Sequence, residues 1–127
     1  SMAAAHYKLD NLTAFVDYNG LQIDGNITDV MNPEPVADKF IAFGWNVIVI
    51  DGHDMEQIKG AIETAKTVKG KPTMVVCKTI KGKDVSFMEN QYGWHGTAPN
   101  QEQRDQAISE LDGIIAVIDK QIAELEA

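Results

Sequence analysis

Short, continuously apolar runs alternate along this chain with segments whose apolar residues recur at helical spacing. The apolar runs are LTAFVDY, NVIVIDG and PTMVVCKT, and their continuity is typical of strands that are buried on both faces. Strands that alternate with helices predict a parallel sheet with helices packed against it. We therefore expect an α/β fold, a three-layer sandwich built on a mainly parallel sheet.

The remaining periodic segments are predicted to be helices: MAAAHYKL, PVADKFIAFG, MEQIKGAIETAKTV and a last helix from Asn100 to about Leu125. Asp54 is the expected N-cap of the third helix, with Gln57 in the capping-box position. Ile58, Ile62 and Ala65 are expected along its apolar face. The last helix carries an apolar stripe at Ile108, Leu111, Ile115, Ile118, Ile122 and Leu125.

Two connections are unusually long for such a fold, residues 19–34 and residues 80–99. The first contains the turn signals Asn19-Gly20 and Asp24-Gly25, but the Leu-Gln-Ile between them is expected to be too short for a hairpin arm. Both loops follow the carboxyl ends of predicted parallel strands, which is where open α/β sheets bind ligands. Function is therefore expected in these two loops.

The first loop offers oxygen atoms at the end of a strand. Asn19 has a side-chain carbonyl oxygen, and Gly20 lets the backbone turn so that the main-chain oxygen of Leu21 faces the same point. Two such oxygens suit a hard cation such as Mg²⁺, with Leu21 and Ile23 as an apolar wall beside it. The alternative is an ordinary turn in which Asn and Gly accept positive φ angles.

The second loop contains YGWHGTAP, in which His95 lies between Trp94 and Gly96. This histidine could donate a hydrogen bond to a phosphate or polarise a substrate oxygen, or it could have no chemical role. His53 is a weaker candidate, because Asp51 and Asp54 offer it structural partners.

Composition narrows the function classes. The chain has 127 residues, of which 44% are hydrophobic and 24% charged, and this predicts one domain over residues 1–127. A formal net charge of -8 argues against a nucleic-acid partner. The single cysteine, Cys77, favours a reducing compartment, the cytoplasm. No apolar stretch reaches membrane-spanning length.

Four stretches together resemble a known family: YKLDNLTAFVDYNGLQIDG, VIDGHDMEQIKGAIETAK, PTMVVCKTIKGK and WHGTAPN. They are similar to the thiamine-diphosphate-binding region of transketolases, and most similar to the N-terminal subunit of the type that is split into two subunits. The resemblance implies transfer of a two-carbon ketol unit between sugar phosphates in the pentose phosphate pathway. It also implies thiamine diphosphate and Mg²⁺ as cofactors, partnership with a C-terminal transketolase subunit, and a homo-oligomer.

The resemblance also implies roles for individual residues. Asn19 and the backbone oxygen of Leu21 would be metal ligands, and Ile23 would lie against the thiazolium ring. Ile80 would pack against the cofactor. His95 would reach the diphosphate and the substrate side of the site, which makes it the candidate catalytic residue.

The chain departs from the family pattern at its start. The family's Gly-Asp-Gly motif, whose aspartate is a further metal ligand, is absent upstream of YKLDN. So is the carboxylate that activates the aminopyrimidine, which belongs to another domain or subunit. We therefore expect the C-terminal part of a thiamine-diphosphate-binding domain, truncated at its N-terminus, lacking the first strand of its sheet and inactive by itself.

Two alternatives stay open. Another thiamine-diphosphate enzyme, such as a deoxyxylulose-phosphate synthase or a ketoacid dehydrogenase component, would share much of the pattern, although LQIDG and WHGTAP favour transketolase. A non-catalytic assembly module is the second alternative, because a truncated sheet and the apolar stripe of the last helix would expose surface for a partner.

Overall fold

The structure is a computed structural model that describes residues 1–126. Helices and strands alternate along most of the chain. In chain order they are α1 Met2–His6, β1 Thr13–Tyr18, β2 Leu21–Gln22, β3 Gly25–Asn26, α2 Ile27–Val30, α3 Val36–Ala42, β4 Asn46–Asp51, α4 Met55–Thr67, β5 Thr73–Lys78, a 3₁₀ helix Tyr92–His95, and α5 Gln101–Leu125.

The three predicted strands form one parallel sheet in the order β1-β5-β4. Thr73 of β5 lies opposite Thr13 of β1 and Asn46 of β4, so the three strands begin and end together. Their carboxyl ends, Tyr18, Lys78 and Asp51, therefore share one edge of the sheet. The expectation of a parallel sheet is confirmed.

Helices cover both faces of the central strand, which gives the predicted three layers. On one face Trp45, Met74 and Val76 form a buried cluster that residues of α1 and α3 complete. On the other face Val75 packs with Ile50 of β4 and with Ala61 of α4. Coverage of the outer strands is less complete than expected, because Phe15 of β1 is exposed. Only β5 has both faces buried, since a central strand has neighbours on every side.

The predicted helix signals are mostly confirmed. The Asp54 carboxylate accepts hydrogen bonds from the backbone N–H groups of Glu56 and Gln57 at 2.9 and 3.1 Å. The Gln57 side chain, however, accepts from the backbone N–H of Asp51 rather than completing the expected capping box. Ile62 is exposed and Ala61 is buried in its place, because the helix presents its small residues to the sheet.

The prediction that residues 19–34 form one long loop, with arms too short for a hairpin, is wrong. The segment contains β2, β3 and α2, and β2 pairs with β3. The two-residue arms are joined by Ile23 and Asp24, and the glycines that precede β2 and begin β3, Gly20 and Gly25, both have positive φ angles. The N–H of Ile27 closes the hairpin's base by donating to the carbonyl oxygen of Gly20 at 3.0 Å.

The described chain divides into two compact units. One comprises residues 1–20 and 26–79, and the other comprises residues 21–25 with the chain from Ile80 onward. The assignment of the whole chain to one domain stays a prediction. Within residues 1–126, no helix has the length and apolar character needed to cross a membrane.

Candidate functional site

The carboxyl edge of the sheet is closely tied together in the first unit. The N–H of Gly52, just after β4, donates to the carbonyl oxygen of Lys78 at 2.7 Å. The N–H of Thr79, just after β5, donates to the carbonyl oxygen of Tyr18 at 3.3 Å, and the Thr79 hydroxyl donates to the Asp17 carboxylate. These bonds hold the chain after β4 and after β5 in place at the edge where ligands are expected.

Asn19 is the first residue after β1 and is half-buried at this edge. The preceding residue, Tyr18, donates its hydroxyl to the carboxylate of Glu34. That carboxylate also accepts the N–H of Val36 at 2.8 Å. The hydrogen bond from Tyr18 is the main cause that lowers the pKa of Glu34, and the same bond raises the pKa of Tyr18. The start of the Asn19 turn is thus held by a charged hydrogen bond.

In the second unit, β2 packs against the 3₁₀ helix Tyr92–His95. The structure therefore brings together the strand that holds Leu21 and the helix that ends at His95. Leu21 is half-buried, whereas Ile23 at the tip of the hairpin has 63% of its surface exposed. His95 is also exposed. Exposed groups of this kind are available to a ligand.

A cleft of about 400 Å³ lies beside the 3₁₀ helix and is lined by Phe87, Gln91, Tyr92, Gly93, Trp94 and Thr97. The rings of Phe87 and Trp94 meet edge to face at 5.4 Å. The Trp94 indole N–H donates to the carbonyl oxygen of Phe87 at 3.0 Å. The residue before His95 is therefore fixed in position, although His95 itself does not line the cleft.

Residues 81–90 form a closed loop whose ends meet, since the N–H of Asn90 donates to the carbonyl oxygen of Lys81 at 3.0 Å. The carboxylate of Glu110 on α5 accepts both the N–H and the hydroxyl of Ser86, each at 2.7 Å. These two bonds are the main reason that the pKa of Glu110 is lowered. The segment that leads to His95 is thereby attached to the long last helix.

The predicted site residues are divided between the two units. Asn19 belongs to the first unit, and Leu21, Ile23, Ile80 and His95 belong to the second. Their individual roles stay predictions. The weaker candidate His53 donates its backbone N–H to the Asp51 carboxylate at 2.9 Å. Asp54, the other partner proposed for it, caps α4.

Potential ligands for a metal or cofactor are few. In residues 1–126, no group of three or more histidine, cysteine, aspartate or glutamate side chains gathers in a way that could hold a metal ion. The oxygen atoms of Asn19 and Leu21 are the ligands that the sequence offers, and Mg²⁺ needs about six. The chain's own residues thus fit a cation only as part of a larger ligand set.

The sequence did not indicate two of the contacts that position this region, Tyr18–Glu34 and Ser86–Glu110. Each joins a strand end or loop to a residue at least 16 positions away, so no local spacing reveals it. The usable signal was the location of Tyr18 at the end of a predicted strand.

Comparison with known proteins places the chain among thiamine-diphosphate-binding proteins. The family model described as transketolase, thiamine diphosphate binding domain, matches residues 1–113. The chain is 44% identical over 112 residues to the 6-deoxy-6-sulfo-D-fructose transketolase subunit SqwG of a Clostridium species, covering 88% of this chain and 41% of the relative. It is 39% identical over 121 residues to one of the apulose-4-phosphate transketolase subunits of Phocaeicola vulgatus, covering 95% and 43%.

Solved structures agree with the sequence relatives. The transketolase of Campylobacter jejuni superposes with a TM-score of 0.79 at 33% identity, covering 86% of this chain and 17% of that one. The chain spans less than half the length of the two curated relatives. The mixed α/β fold with its parallel sheet is therefore the fold of part of a transketolase.

Proposed function

This chain belongs to the transketolase thiamine-diphosphate-binding domain family, and from that premise we propose that it supplies part of the cofactor site of a thiamine-diphosphate- and Mg²⁺-dependent transketolase. The enzyme would transfer a two-carbon ketol unit between sugar phosphates, in the pentose phosphate pathway. The observation that carries the proposal is the carboxyl edge of the sheet, where the chain turns at Asn19 immediately after β1.

The first role that we assign is ligation of the cation. Gly20 has a φ angle of +74°, which lets the chain reverse between Asn19 and Leu21 without a steric penalty. The side-chain oxygen of Asn19 and the backbone oxygen of Leu21 would be two ligands of Mg²⁺. The cation would offset the repulsion between a diphosphate and a chain of net charge -8.

The second role is an apolar contact with the cofactor. Ile23 and Ile80 both expose part of their side chains, 63% and 37% respectively. We assign Ile23 to the thiazolium ring and Ile80 to a second contact with the cofactor. Covering these side chains would remove apolar surface from water, which favours binding.

The third role is that of His95. Its position at the end of a 3₁₀ helix packed on β2 would let its ring donate a hydrogen bond to the diphosphate or to a substrate oxygen. Thiamine diphosphate, when bound, supplies the carbanion chemistry of the reaction. The chain's own residues bind, orient and donate hydrogen bonds.

The relatives are named as transketolase subunits, which supports a second polypeptide as partner. We propose that a C-terminal transketolase subunit completes the enzyme, that the assembly is a homo-oligomer of such pairs, and that it works in the cytoplasm. The family's Gly-Asp-Gly motif does not occur in this sequence, so the isolated chain is expected to be inactive.

Calorimetric titration of thiamine diphosphate, with and without Mg²⁺, into the full-length subunit assembled with its partner subunit tests the ligand roles, because this chain's own residues supply only part of the ligand set. Binding that needs Mg²⁺, and that Asn19→Ala abolishes, is the expected result. Asn11→Ala is the matched control, because Asn11 is exposed and precedes β1 rather than following it. Binding without Mg²⁺, or unchanged binding by Asn19→Ala, would contradict the proposed ligands.

The reaction is tested by a coupled ketol-transfer assay on the full-length subunit together with its partner subunit. Turnover of sugar phosphates, reduced at least tenfold in His95→Ala, is expected. Turnover of pyruvate without transfer between sugar phosphates would instead favour a deoxyxylulose-phosphate synthase or a ketoacid dehydrogenase component. A non-catalytic assembly module would show neither activity.

A further inference from the structure

Helix α5 carries an apolar stripe that nothing in the proposed cofactor site uses. The stripe residues are separated alternately by three and four positions: Ile108, Leu111, Ile115, Ile118, Ile122 and Leu125. This is a repeat of 3.5 residues, the spacing by which one helix packs along another in a coiled coil. We call these six residues the seam.

The seam is exposed along its whole length. Its residues have between 39% and 88% of their surface accessible. The seam extends over about 26 Å of helix, at about 1.5 Å per residue. A contiguous apolar stripe of this length on a helix surface marks an interaction site more often than scattered apolar residues do.

Only the first part of α5 is attached to its own unit. Glu110 holds Ser86, and Gln106 donates to Glu110 at 2.8 Å. From Leu111 to Glu126 every residue is exposed. A helical stretch of this length is marginally stable in water without packing, and Gly113 weakens it further. The distal half of α5 therefore gains stability from any partner that covers the seam.

The distal half of α5 lies mostly beyond the part of the chain that the thiamine-diphosphate-binding family model matches. The match to the family model ends at residue 113, whereas the seam continues through Ile115, Ile118, Ile122 and Leu125. None of the residues that we assign to the cofactor lies in this part of the helix.

The charges beside the seam indicate the partner. In the heptad that places Ile108, Ile115 and Ile122 at position a, the e positions on one flank are all acidic: Asp112, Asp119 and Glu126. The g positions on the other flank are uncharged: Ala107, Ile114 and Gln121. Residues at e and g face the partner helix and select it by charge.

A second copy of this chain fits the charge pattern poorly. In a parallel pair the acidic flank would meet the uncharged flank of the other copy, which gives no attraction. In an antiparallel pair it would meet the same acidic flank, which gives repulsion. The net charge of -8 on each chain adds to the cost of pairing two copies through this seam.

We propose that the α5 seam binds an amphipathic helix of another protein that carries lysine or arginine opposite Asp112, Asp119 and Glu126. The apolar face of that helix packs on the seam, and its basic flank pairs with the three carboxylates. The proposal does not depend on the cofactor site or on the assigned reaction.

Two synthetic helical peptides test the proposal against the intact chain by calorimetry. Both carry isoleucine and leucine in a matching seam, and they differ only in having lysine or glutamate at the flanking positions. The lysine peptide is expected to bind roughly tenfold more tightly, since each of three exposed ion pairs contributes a small increment. The difference is expected to shrink as the salt concentration rises.

A matched pair of variants separates the seam from the rest of the helix. Ile118→Asp places a charge in the seam and is expected to abolish binding of the lysine peptide. Val117→Asp is the control, because Val117 is the neighbouring residue, is somewhat more exposed (58% against 47% for Ile118) and lies off the seam. Circular dichroism on both variants checks that the helix content is equal.

A triple variant tests whether the acidic flank of the seam selects the partner by charge. Replacement of the acidic flank by Asp112→Asn, Asp119→Asn and Glu126→Gln together is expected to leave the seam intact and to remove the preference for the lysine peptide. Equal binding of the two peptides by the unaltered chain, or binding of neither, would overturn the proposal. Sedimentation equilibrium showing a dimer that Ile118→Asp dissociates and Val117→Asp does not would assign the seam to a second copy instead.

Discussion

The chain's two tryptophans make nearly the same contacts in two different regions. Trp45, in the first unit, meets Phe40 edge to face at 5.5 Å, and its indole N–H donates to the carbonyl oxygen of Ser1 at 3.0 Å. Trp94, in the second unit, meets Phe87 at 5.4 Å and donates to a carbonyl oxygen at 3.0 Å. The difference lies in what surrounds them and in how far apart along the chain their partners are.

Trp45 is 7% exposed and belongs to the buried cluster with Met74 and Val76. Its hydrogen bond reaches 44 residues back along the chain, which ties the start of the chain to the sheet. Trp94 is half-buried and bonds to a residue only seven positions away. The same kinds of contact therefore stabilise the packed core of the first unit at Trp45, and only a local loop of the second unit at Trp94.

The same contrast holds across the two units. The buried apolar side chains of the described residues lie almost wholly in the first unit, and Val85 is the one in the second. The second unit is held instead by hydrogen bonds such as Ser86 to Glu110. A region held by a few polar contacts changes shape at a lower free-energy cost than a packed core, which suits the ligand contacts proposed for this unit.

The largest expected effect separates the two tryptophans. Trp45→Ala is expected to lower the free energy of unfolding by about 3–5 kcal/mol, because it leaves a cavity in a packed core. Trp94→Ala is expected to lower it by about 1–2 kcal/mol, the value of a ring pair and a hydrogen bond. Urea unfolding followed by circular dichroism measures both free energies. Equal losses in the two variants would show that Trp94 contributes as much to stability as the core residue Trp45.

A smaller effect is expected at the turn of the closed loop 81–90. Gly82 has a φ angle of +68°, and an added Cβ would lie 2.7 Å from the carbonyl oxygen of Met88. Gly82→Ala is therefore expected to cost about 1–3 kcal/mol of backbone strain. Hydrogen exchange is expected to show faster exchange at Asn90 and no change at Val75.

Gly93→Ala is the control for that loop, because a Cβ there would meet no atom within 4 Å. It is expected to leave the exchange rate of Asn90 within error of the original chain. Faster exchange at Val75 in Gly82→Ala would mean that the loop and the sheet unfold together, and would contradict the difference in stability expected between the two units.

The cap of α5 is expected to have an effect of about 1 kcal/mol. The Asn100 side chain accepts the N–H of Gln103 at 2.9 Å, and the Gln103 side chain accepts the N–H of Asn100 at 2.9 Å. Asn100→Ala is expected to reduce the helix content of the second unit, as measured by circular dichroism. Asn100→Asp preserves the acceptor oxygen and is expected to preserve the helix.

The smallest expected effect is the pH dependence of the Ser86–Glu110 contact. Because Ser86 lowers the pKa of Glu110 from its ordinary value of 4.5, the stabilisation is fully present above pH 4.5. It is lost as the pH falls through the lowered pKa of the folded state. Hydrogen exchange at Ser86 is expected to accelerate over that range, and Glu110→Gln is expected to show the weaker protection already at neutral pH.

Glu124→Gln removes the same charge from the same helix and is the control for that measurement. Glu124 pairs only loosely with Lys120, at 3.9 Å, and both side chains are exposed. Protection of Ser86 that falls equally in Glu110→Gln and Glu124→Gln would attribute the effect to net charge rather than to the contact.

Part of the candidate site could be predicted from the sequence. The location of Asn19 after β1 and of Ile80 two residues after β5 was correct, because the apolar runs mark the strands and their ends. The packing of β2 on the helix that ends at His95 could not be predicted, since the segments are about 70 residues apart and no local pattern joins them. The ligand roles of Asn19 and Leu21 and the catalytic role of His95 stay predictions.

The sequence by itself determined that the sheet is parallel, which segments form its three strands and four of the helices, the cap at Asp54, and the family. Each of these depends on local periodicity, on capping chemistry or on a continuous motif. Only the tertiary structure decided that Phe15 and Ile62 are exposed, that NGLQIDG folds as a hairpin, and which residues Tyr18 and Glu110 bind. Burial and long-range pairing depend on which elements meet in space, and the spacing of residues along one segment carries no record of that.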